Sequence, residues 1–116
     1  MKSIKLAHIE DLAQDFLEPP RVYKTKNEVG IIYDYEMEFE GYGEKSIFFE
    51  DIYDFRHVRE DEVTSEMIDA AYNSIAKITD SDWLTEEMHR NGYSHFLIYF
   101  DDYGAFEVVA KSFRVE

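Results

Sequence analysis

The sequence predicts one α+β domain spanning residues 1–116, in which helices cover one face of a mainly antiparallel, five-stranded sheet. Three observations lead to this two-layer fold class. The chain has 116 residues, the length of a single domain. Runs of alternating apolar and polar residues, joined by short glycine-containing loops, predict antiparallel strands. Other stretches repeat apolar residues at helical spacing and predict helices. Taken together, the two kinds of pattern predict the element order α-β-β-β-α-α-β-β.

The first predicted element is a helix near the N-terminus. Its apolar residues recur at spacings of three and four, which places them on one helical face: Ile9, Leu12, Ala13, Phe16 and Leu17. Pro19 and Pro20 follow, and the residue before a proline is disfavoured in the α conformation. The helix is therefore expected to end near Leu17.

Three strands are predicted next. Residues 21–26 form a short strand, and residues 31–40 alternate strictly between apolar and polar side chains, as a half-buried strand does. The glycine-containing stretch 40–44 predicts a hairpin loop. Residues 45–58 then return as a long strand, with a bulge or bend near Glu50 and Asp51 where the alternation breaks.

The second half predicts two helices and a terminal hairpin. An alanine-rich apolar face predicts a helix from Glu62 to Ile78. Ser81 is expected to cap a second, short helix that ends at Arg90. Residues 93–100 and 105–115 read as strands, and Gly104 in the loop between them is expected at positive φ.

Composition narrows the functional classes. Acids outnumber Lys and Arg by 26 to 12, so the formal net charge is −14, which argues against nucleic acid or an anionic membrane as a partner. The absence of cysteine removes disulfides, thiolate zinc sites and cysteine nucleophiles, and it fits a cytoplasmic protein. We also expect no secretory signal and no membrane span, because the longest apolar run is only Phe96-Leu97-Ile98-Tyr99-Phe100.

The most informative feature is a ladder of acids on the alternating strand. Asp34, Glu36, Glu38 and Glu40 share one face, and with Tyr42 at the hairpin centre no lysine or arginine would lie opposite them. That register pairs Glu40 with Glu44, Glu38 with Ser46, Glu36 with Phe48, and Asp34 with Glu50. Residues 34–62 contain 11 acids and 3 bases, so this quarter of the chain has a net charge of 3 − 11 = −8.

Two interpretations of this ladder remain open. It is either a solvated sheet face or an anionic surface that docks a basic protein. Under the second interpretation the protein has no catalytic function and needs no cofactor. Its predicted partner-binding residues are then Asp34, Glu36, Glu38, Glu40, Tyr42 and Glu44.

A small acidic α+β protein that ends in a hairpin such as Phe96–Ala110 resembles the small immunity proteins of bacterial toxin–immunity systems. The resemblance covers size, charge and general layout, with the terminal hairpin as its only local part. It implies a bacterial cytoplasmic protein that binds and blocks a cognate toxin, often a cationic nuclease. It transfers no individual site residue to this chain.

Two other functional classes stay open. The terminal strand 105–115 could pair with a second copy at a sheet edge and form a homo-oligomer. A small metal-dependent or acid–base enzyme could use His57 and His95 with Asp101 or Asp102, or the acids near His57. Neither class has a diagnostic motif, and we predict no metal site. Trp83 reads as a core anchor.

Overall fold

The computed structural model describes residues 1–8, 18–37 and 41–116, and within them the protein is mostly β. The first predicted helix, at residues 9–17, lies outside these ranges. The described elements are β1 (Ser3–His8), β2 (Arg21–Lys24), β3 (Glu28–Met37), β4 (Gly41–Glu50), β5 (Asp54–Val58), a 3₁₀ helix (Glu60–Glu62), α1 (Ser65–Ala71), β6 (Ser74–Ile78), α2 (Glu86–Arg90), β7 (Ser94–Phe100), β8 (Gly104–Ala110) and β9 (Ser112–Val115).

These strands form two antiparallel sheets that pack face to face. One has five strands in the order β1-β6-β7-β8-β5, and the other has four in the order β2-β3-β4-β9. The main core lies between the sheets and is built from Val29, Ile31, Tyr33, Ile47, Phe49, Ile75, Phe96, Ile98, Phe100, Phe106, Val108 and Ala110. The predicted fold class, a single sheet covered by helices, is therefore wrong. A second sheet, rather than helices, buries the apolar face.

A smaller core forms on the other side of the five-stranded sheet. There α1 packs Met67, Ala70 and Ala71 against buried residues of the sheet, among them Leu97 and Tyr99. The Thr64 hydroxyl caps α1 by accepting a 3.2 Å hydrogen bond from the Met67 N–H. None of the helices in the described ranges is long and apolar enough to cross a membrane.

Two segments predicted as single strands are each divided between the two sheets. The chain leaves β4 at Asp51, whose φ is +54°, and enters β5 in the other sheet, so the bend predicted at this position is present. Lys111 separates β8 from β9 in the same way, and its N–H donates to the Glu50 carbonyl at 3.1 Å. Because β8 lies between β7 and β5, only β9 of the predicted edge strand 105–115 lies at an edge.

The predicted helix at 62–78 is also wrong over its second half. Asn73 takes a φ of +45° after α1 has ended at Ala71, and Ser74–Ile78 is the strand β6 between β1 and β7. The second helix begins at Glu86 with Thr85 as its cap, not at Ser81. The hairpin prediction is confirmed, since Gly104 has a φ of +90° between β7 and β8.

Candidate functional site

The acidic ladder has a different register from the predicted one. In the β3–β4 hairpin, Asp34 lies opposite Glu44, Glu36 lies opposite Tyr42, and Glu28 lies opposite Glu50. The hairpin centre therefore falls between Met37 and Gly41, and the predicted pairings centred on Tyr42 are wrong. Glu38 and Glu40 lie outside the described residues, and of Glu36 only the backbone is described.

Arg21 neutralises part of the ladder from the neighbouring strand β2. Its Nη2 donates to Glu44 Oε2 at 2.7 Å and to Asp34 Oδ1 at 3.4 Å. The hydrogen bond to Glu44 raises the pKa of Arg21 above its ordinary value. The expectation that no cation accompanies the ladder is therefore wrong for Asp34 and Glu44. The periodicity of one strand cannot reveal a base contributed by the next strand.

A second arginine organises the other end of this sheet face. Arg114 on β9 donates to Glu50 Oε1 at 2.5 Å, to Glu28 Oε2 at 3.1 Å and to Glu116 Oε1 at 2.8 Å. Its guanidinium carbon lies 4.5 Å from the ring centre of Phe48. The described charged side chains of this outer face, meaning Arg21, Glu28, Asp34, Glu44, Glu50, Arg114 and Glu116, carry a net charge of 2 − 5 = −3.

Over the described side chains, a more strongly anionic surface lies where the 3₁₀ helix, the end of α1 and the β7–β8 turn meet. We call this surface the acidic end. It comprises Arg59, Glu60, Asp61, Glu62, Asp69, Tyr72, Tyr99, Asp101 and Asp102. Arg59 is its one base, so the net charge is 1 − 6 = −5. Arg59 donates to Glu62 at 2.6 Å and lies 3.5 Å from Asp61. Arg59 therefore offsets part of the charge of Asp61 and Glu62. The other four acids of the acidic end form no ion pair with Arg59.

Two tyrosines join the carboxylates of the acidic end. The Tyr99 hydroxyl donates to Glu60 Oε1 at 2.6 Å, and the Gly104 N–H donates to Glu60 Oε2 at 2.9 Å. The Tyr72 hydroxyl donates to Asp101 Oδ2 at 3.2 Å. Burial followed by the hydrogen bond to Glu60 raises the pKa of Tyr99, and burial followed by the charge of Asp101 raises the pKa of Tyr72. Tyr72 nevertheless keeps 41 % of its surface exposed.

A buried polar network lies elsewhere on the α1 side of the five-stranded sheet, and its centre is Glu107. Only 3 % of this residue is exposed, and its carboxylate accepts hydrogen bonds from Arg56 Nε and, at 3.0 Å, from His95 Nε2. Burial alone would raise the pKa of Glu107, but the hydrogen bonds from His95 and Arg56 outweigh it and hold this pKa below its ordinary value. Glu107 is therefore an ionised carboxylate in the interior.

The network continues to the loop before α2. His95 Nδ1 lies 2.7 Å from Ser81 Oγ, which also accepts the Trp83 N–H at 3.1 Å. The imidazole of His95 therefore joins the Ser81 hydroxyl to the Glu107 carboxylate. Arg56 stacks on Trp83, with 4.5 Å from its guanidinium carbon to the ring centre. This arrangement fixes the loop on the sheet beside a cleft of 320 Å³.

Sequence reasoning missed this network, although one signal was present. Glu107 is a lone acid within the otherwise apolar run of β8, and a charge at such a position needs partners. Its partners come from β5 and β7, which the sequence does not place beside it. The sequence predicts a helix cap at Ser81 and a core anchor at Trp83, whereas in the structure Ser81 bonds to His95 and Trp83 stacks with Arg56.

The residues of the alternative enzyme hypothesis do not converge. His57 lies opposite Phe106 and contacts the Tyr103 carbonyl at 3.0 Å, whereas His95 lies on the other face of the sheet with Glu107. Asp101 is bound to Tyr72. Within residues 1–8, 18–37 and 41–116, no three His, Cys, Asp or Glu residues are placed to hold a metal ion.

The chain matched no protein-family model, no curated protein and no solved structure with which it was compared.

Proposed function

We propose that this protein is a non-catalytic binding protein that docks a basic protein partner through the acidic end. The observation that carries the proposal is a net charge of −5 gathered around two tyrosines, with one arginine among six carboxylates. The partner class is the one predicted from the sequence. The contact surface differs, because arginines accompany the described part of the predicted ladder.

The charge of the acidic end suits association with a cationic surface. Two like charges about 7 Å apart in water repel by roughly 0.6 kcal/mol, so several neighbouring carboxylates make the free surface mildly unfavourable. A basic partner relieves this repulsion when it binds. The same field accelerates the encounter and disfavours acidic proteins, so it contributes to specificity.

Tyr72 provides the apolar component that such a contact needs. It is 41 % exposed, it closes α1, and its hydroxyl is held by Asp101, so its ring is oriented before binding. Tyrosine is one of the residue types that contribute most to binding at protein interfaces. In the form implied by the resemblance to immunity proteins, the partner would be a cationic toxin.

Position-specific crosslinking tests this proposal. Photoreactive p-benzoylphenylalanine replaces Tyr72, and the matched control replaces Tyr53, which is 66 % exposed and precedes the opposite end of β5. A third variant places the probe at Tyr42 on the outer face of the four-stranded sheet. We expect a basic polypeptide to crosslink at position 72, with a yield that falls steeply as salt is added. Capture at position 42 alone, or a yield independent of salt, would refute the proposed docking surface.

Charge neutralisation provides the quantitative test. The acidic-end variant combines Asp61→Asn, Glu62→Gln, Asp69→Asn and Asp102→Asn. Its matched control removes four acids from the sheet face, namely Glu28→Gln, Asp34→Asn, Glu44→Gln and Glu50→Gln. We expect the first variant to bind the crosslinked partner about 10- to 100-fold more weakly, while its melting temperature is unchanged or slightly higher. An equal loss in both variants would show that overall charge, not this surface, determines binding.

A further inference from the structure

A cavity lies between β6 and α2, and its lining carries more positive than negative charge. It has a volume of 660 Å³, within the range of small-molecule sites in proteins. Lys77, His89 and Arg90 supply the basic groups, Glu86 is the one acid, and Ile78 and Leu84 add apolar surface. With His89 neutral the lining has a net charge of 2 − 1 = +1, in a protein whose net charge is −14.

In the described part of the chain, no carboxylate lies within ion-pair distance of the two fixed cations of this cavity. Of the five arginines, Arg21, Arg56, Arg59 and Arg114 each form an ion pair. Arg90 forms none with any described residue, although acids outnumber bases by 26 to 12. Lys77 likewise has no carboxylate within ion-pair distance in the described part of the chain. A half-buried lysine and an arginine meet at one cavity and have no carboxylate partner among the described residues, which suits an anion from outside the protein.

We infer that this cavity is a binding site for a small organic phosphomonoester. The Arg90 guanidinium can bind two phosphate oxygens at once, and the Lys77 ammonium adds a compact positive charge. Inorganic phosphate alone would fill little of 660 Å³, and Ile78 and Leu84 offer apolar surface to an organic group. Glu86 can accept a hydrogen bond from a ligand hydroxyl, which favours a sugar-like group over a hydrocarbon.

The rest of the protein excludes large anions from this site. Asp80 and Asp82 line the neighbouring cleft, which shares Ile78 and Ser81 with the cavity. At physiological salt the Debye length is about 8 Å, so a single phosphate within the cavity is largely screened from the more distant acids. A polyanion such as RNA would have to lie along the acidic surface and would be repelled. This site is distinct from the acidic end and does not depend on the proposed docking of a basic protein.

Binding is tested by nuclear magnetic resonance with ¹⁵N-labelled protein. Glucose 6-phosphate and adenosine 5′-monophosphate are the probes, and glucose, adenosine and inorganic phosphate are the comparisons. We expect both phosphorylated probes to shift the amide signals of Lys77, Leu84 and Arg90 saturably, whereas glucose and adenosine shift none of them. Inorganic phosphate should bind more weakly. The inference is overturned if neither phosphorylated probe binds at millimolar concentration, if glucose and adenosine bind equally well, or if a short RNA binds more tightly.

Substitution of one cation locates the site. Arg90→Gln should weaken binding of the phosphorylated probe about tenfold, because the charge-assisted, two-oxygen contact of the guanidinium is lost. Lys24→Gln removes an exposed lysine on β2, outside the cavity lining, and should leave the affinity unchanged. Arg90 is exposed, so its substitution should not prevent folding, and the amide spectrum checks this directly. Equal affinities of the Arg90→Gln variant and the unmodified protein would place binding elsewhere and overturn the inference.

Discussion

Replacement of Glu107 by Met tests whether the buried network holds the five-stranded sheet together. Met has a similar volume but accepts neither of the two hydrogen bonds that reach Glu107 from His95 and Arg56. His95 is 5 % exposed, so its Nε2–H would be left in the interior without that acceptor. Glu107→Gln is the informative companion variant. Its amide can satisfy both neighbours if the imidazole changes tautomer, so only the charge is lost.

The expected loss of stability depends on how deeply the partners of Glu107 are buried. Removal of one member of a buried ion pair costs about 3–5 kcal/mol. Because 59 % of the Arg56 side chain is exposed, water can solvate it in the variant, and the lower limit of about 3 kcal/mol applies. For Glu107→Gln we expect the free energy of unfolding to fall by about 1–2 kcal/mol. In a domain of this size about 3 kcal/mol corresponds to a decrease in melting temperature of about 12 °C.

Thermal and urea unfolding at several pH values measure the loss of stability and show whether it depends on the charge of Glu107. The pKa of Glu107 is lower in the folded protein than the unfolded value of about 4.3, so the unfolded chain binds more protons in this range. The stabilisation by Glu107 is therefore complete above about pH 4.3 and is lost as the pH falls through the folded pKa. Hence the gap in melting temperature between the unmodified protein and Glu107→Met should narrow as the pH is lowered from about 5 to about 3.

Glu50→Met is the matched control, since it also removes an arginine-bound glutamate, but from an exposed surface. It should change the melting temperature little. The reasoning is refuted if Glu107→Met is no more destabilising than Glu50→Met, or if the gap in melting temperature widens steadily over that pH range.

Four further substitutions test the fold by urea unfolding. Gly104→Ala should lower the free energy of unfolding by more than about 2 kcal/mol, because φ is +90° and the new Cβ would lie 2.2 Å from the Val58 carbonyl oxygen. The control Gly92→Ala, at a φ of +89° in open space, should lower it by only about 1–2 kcal/mol. Equal losses in the two variants would contradict the predicted contact. Phe49→Ala should cost about 3–5 kcal/mol, because this fully buried ring packs in the core between the two sheets, and a loss below about 1 kcal/mol would argue against that packing. Thr64→Ala should cost about 1 kcal/mol through loss of the α1 cap, and no change would mean that the cap bond is not formed in solution.

The sequence predicted individual strands better than their assembly. Alternation around Ile31 and Tyr33 placed those side chains on the buried face of β3, and the residues that form the β7–β8 hairpin were recognised. The break in alternation near Asp51 marked a real bend. No local pattern shows whether a bend stays within a sheet or carries the chain to a second one. For this reason one sheet was predicted where two exist.

The failure at β6 has a different physical cause. A strand at an edge or on an exposed face alternates, but Ser74, Ile75 and Ala76 are all buried because β6 lies between β1 and β7 and is covered on both faces. A continuous run of small and apolar residues fits a helix equally well, so α1 was extended through it. Asn73 at a φ of +45° is the actual boundary.

The acidic character of the candidate site follows from composition, but its location does not. The excess of acid and the inferred class of partner came from composition. The acidic end depends on the meeting of three separate segments near Glu60, Tyr72 and Asp101, which only the tertiary structure reveals. The reverse holds for Asp34, which looked unpaired in its own strand and is bound by Arg21 from the next.

Under the proposed function, the acidic end, rather than the outer face of the four-stranded sheet, is the surface most attractive to a basic partner. A titration of ¹⁵N-labelled protein with a lysine-rich peptide at low ionic strength measures this directly. We expect the largest amide shifts at residues 60–62, 69–72 and 101–103, and we expect them to disappear when salt is added. Larger shifts at Asp34 and Glu44, or shifts spread evenly over all exposed acids, would contradict the claim.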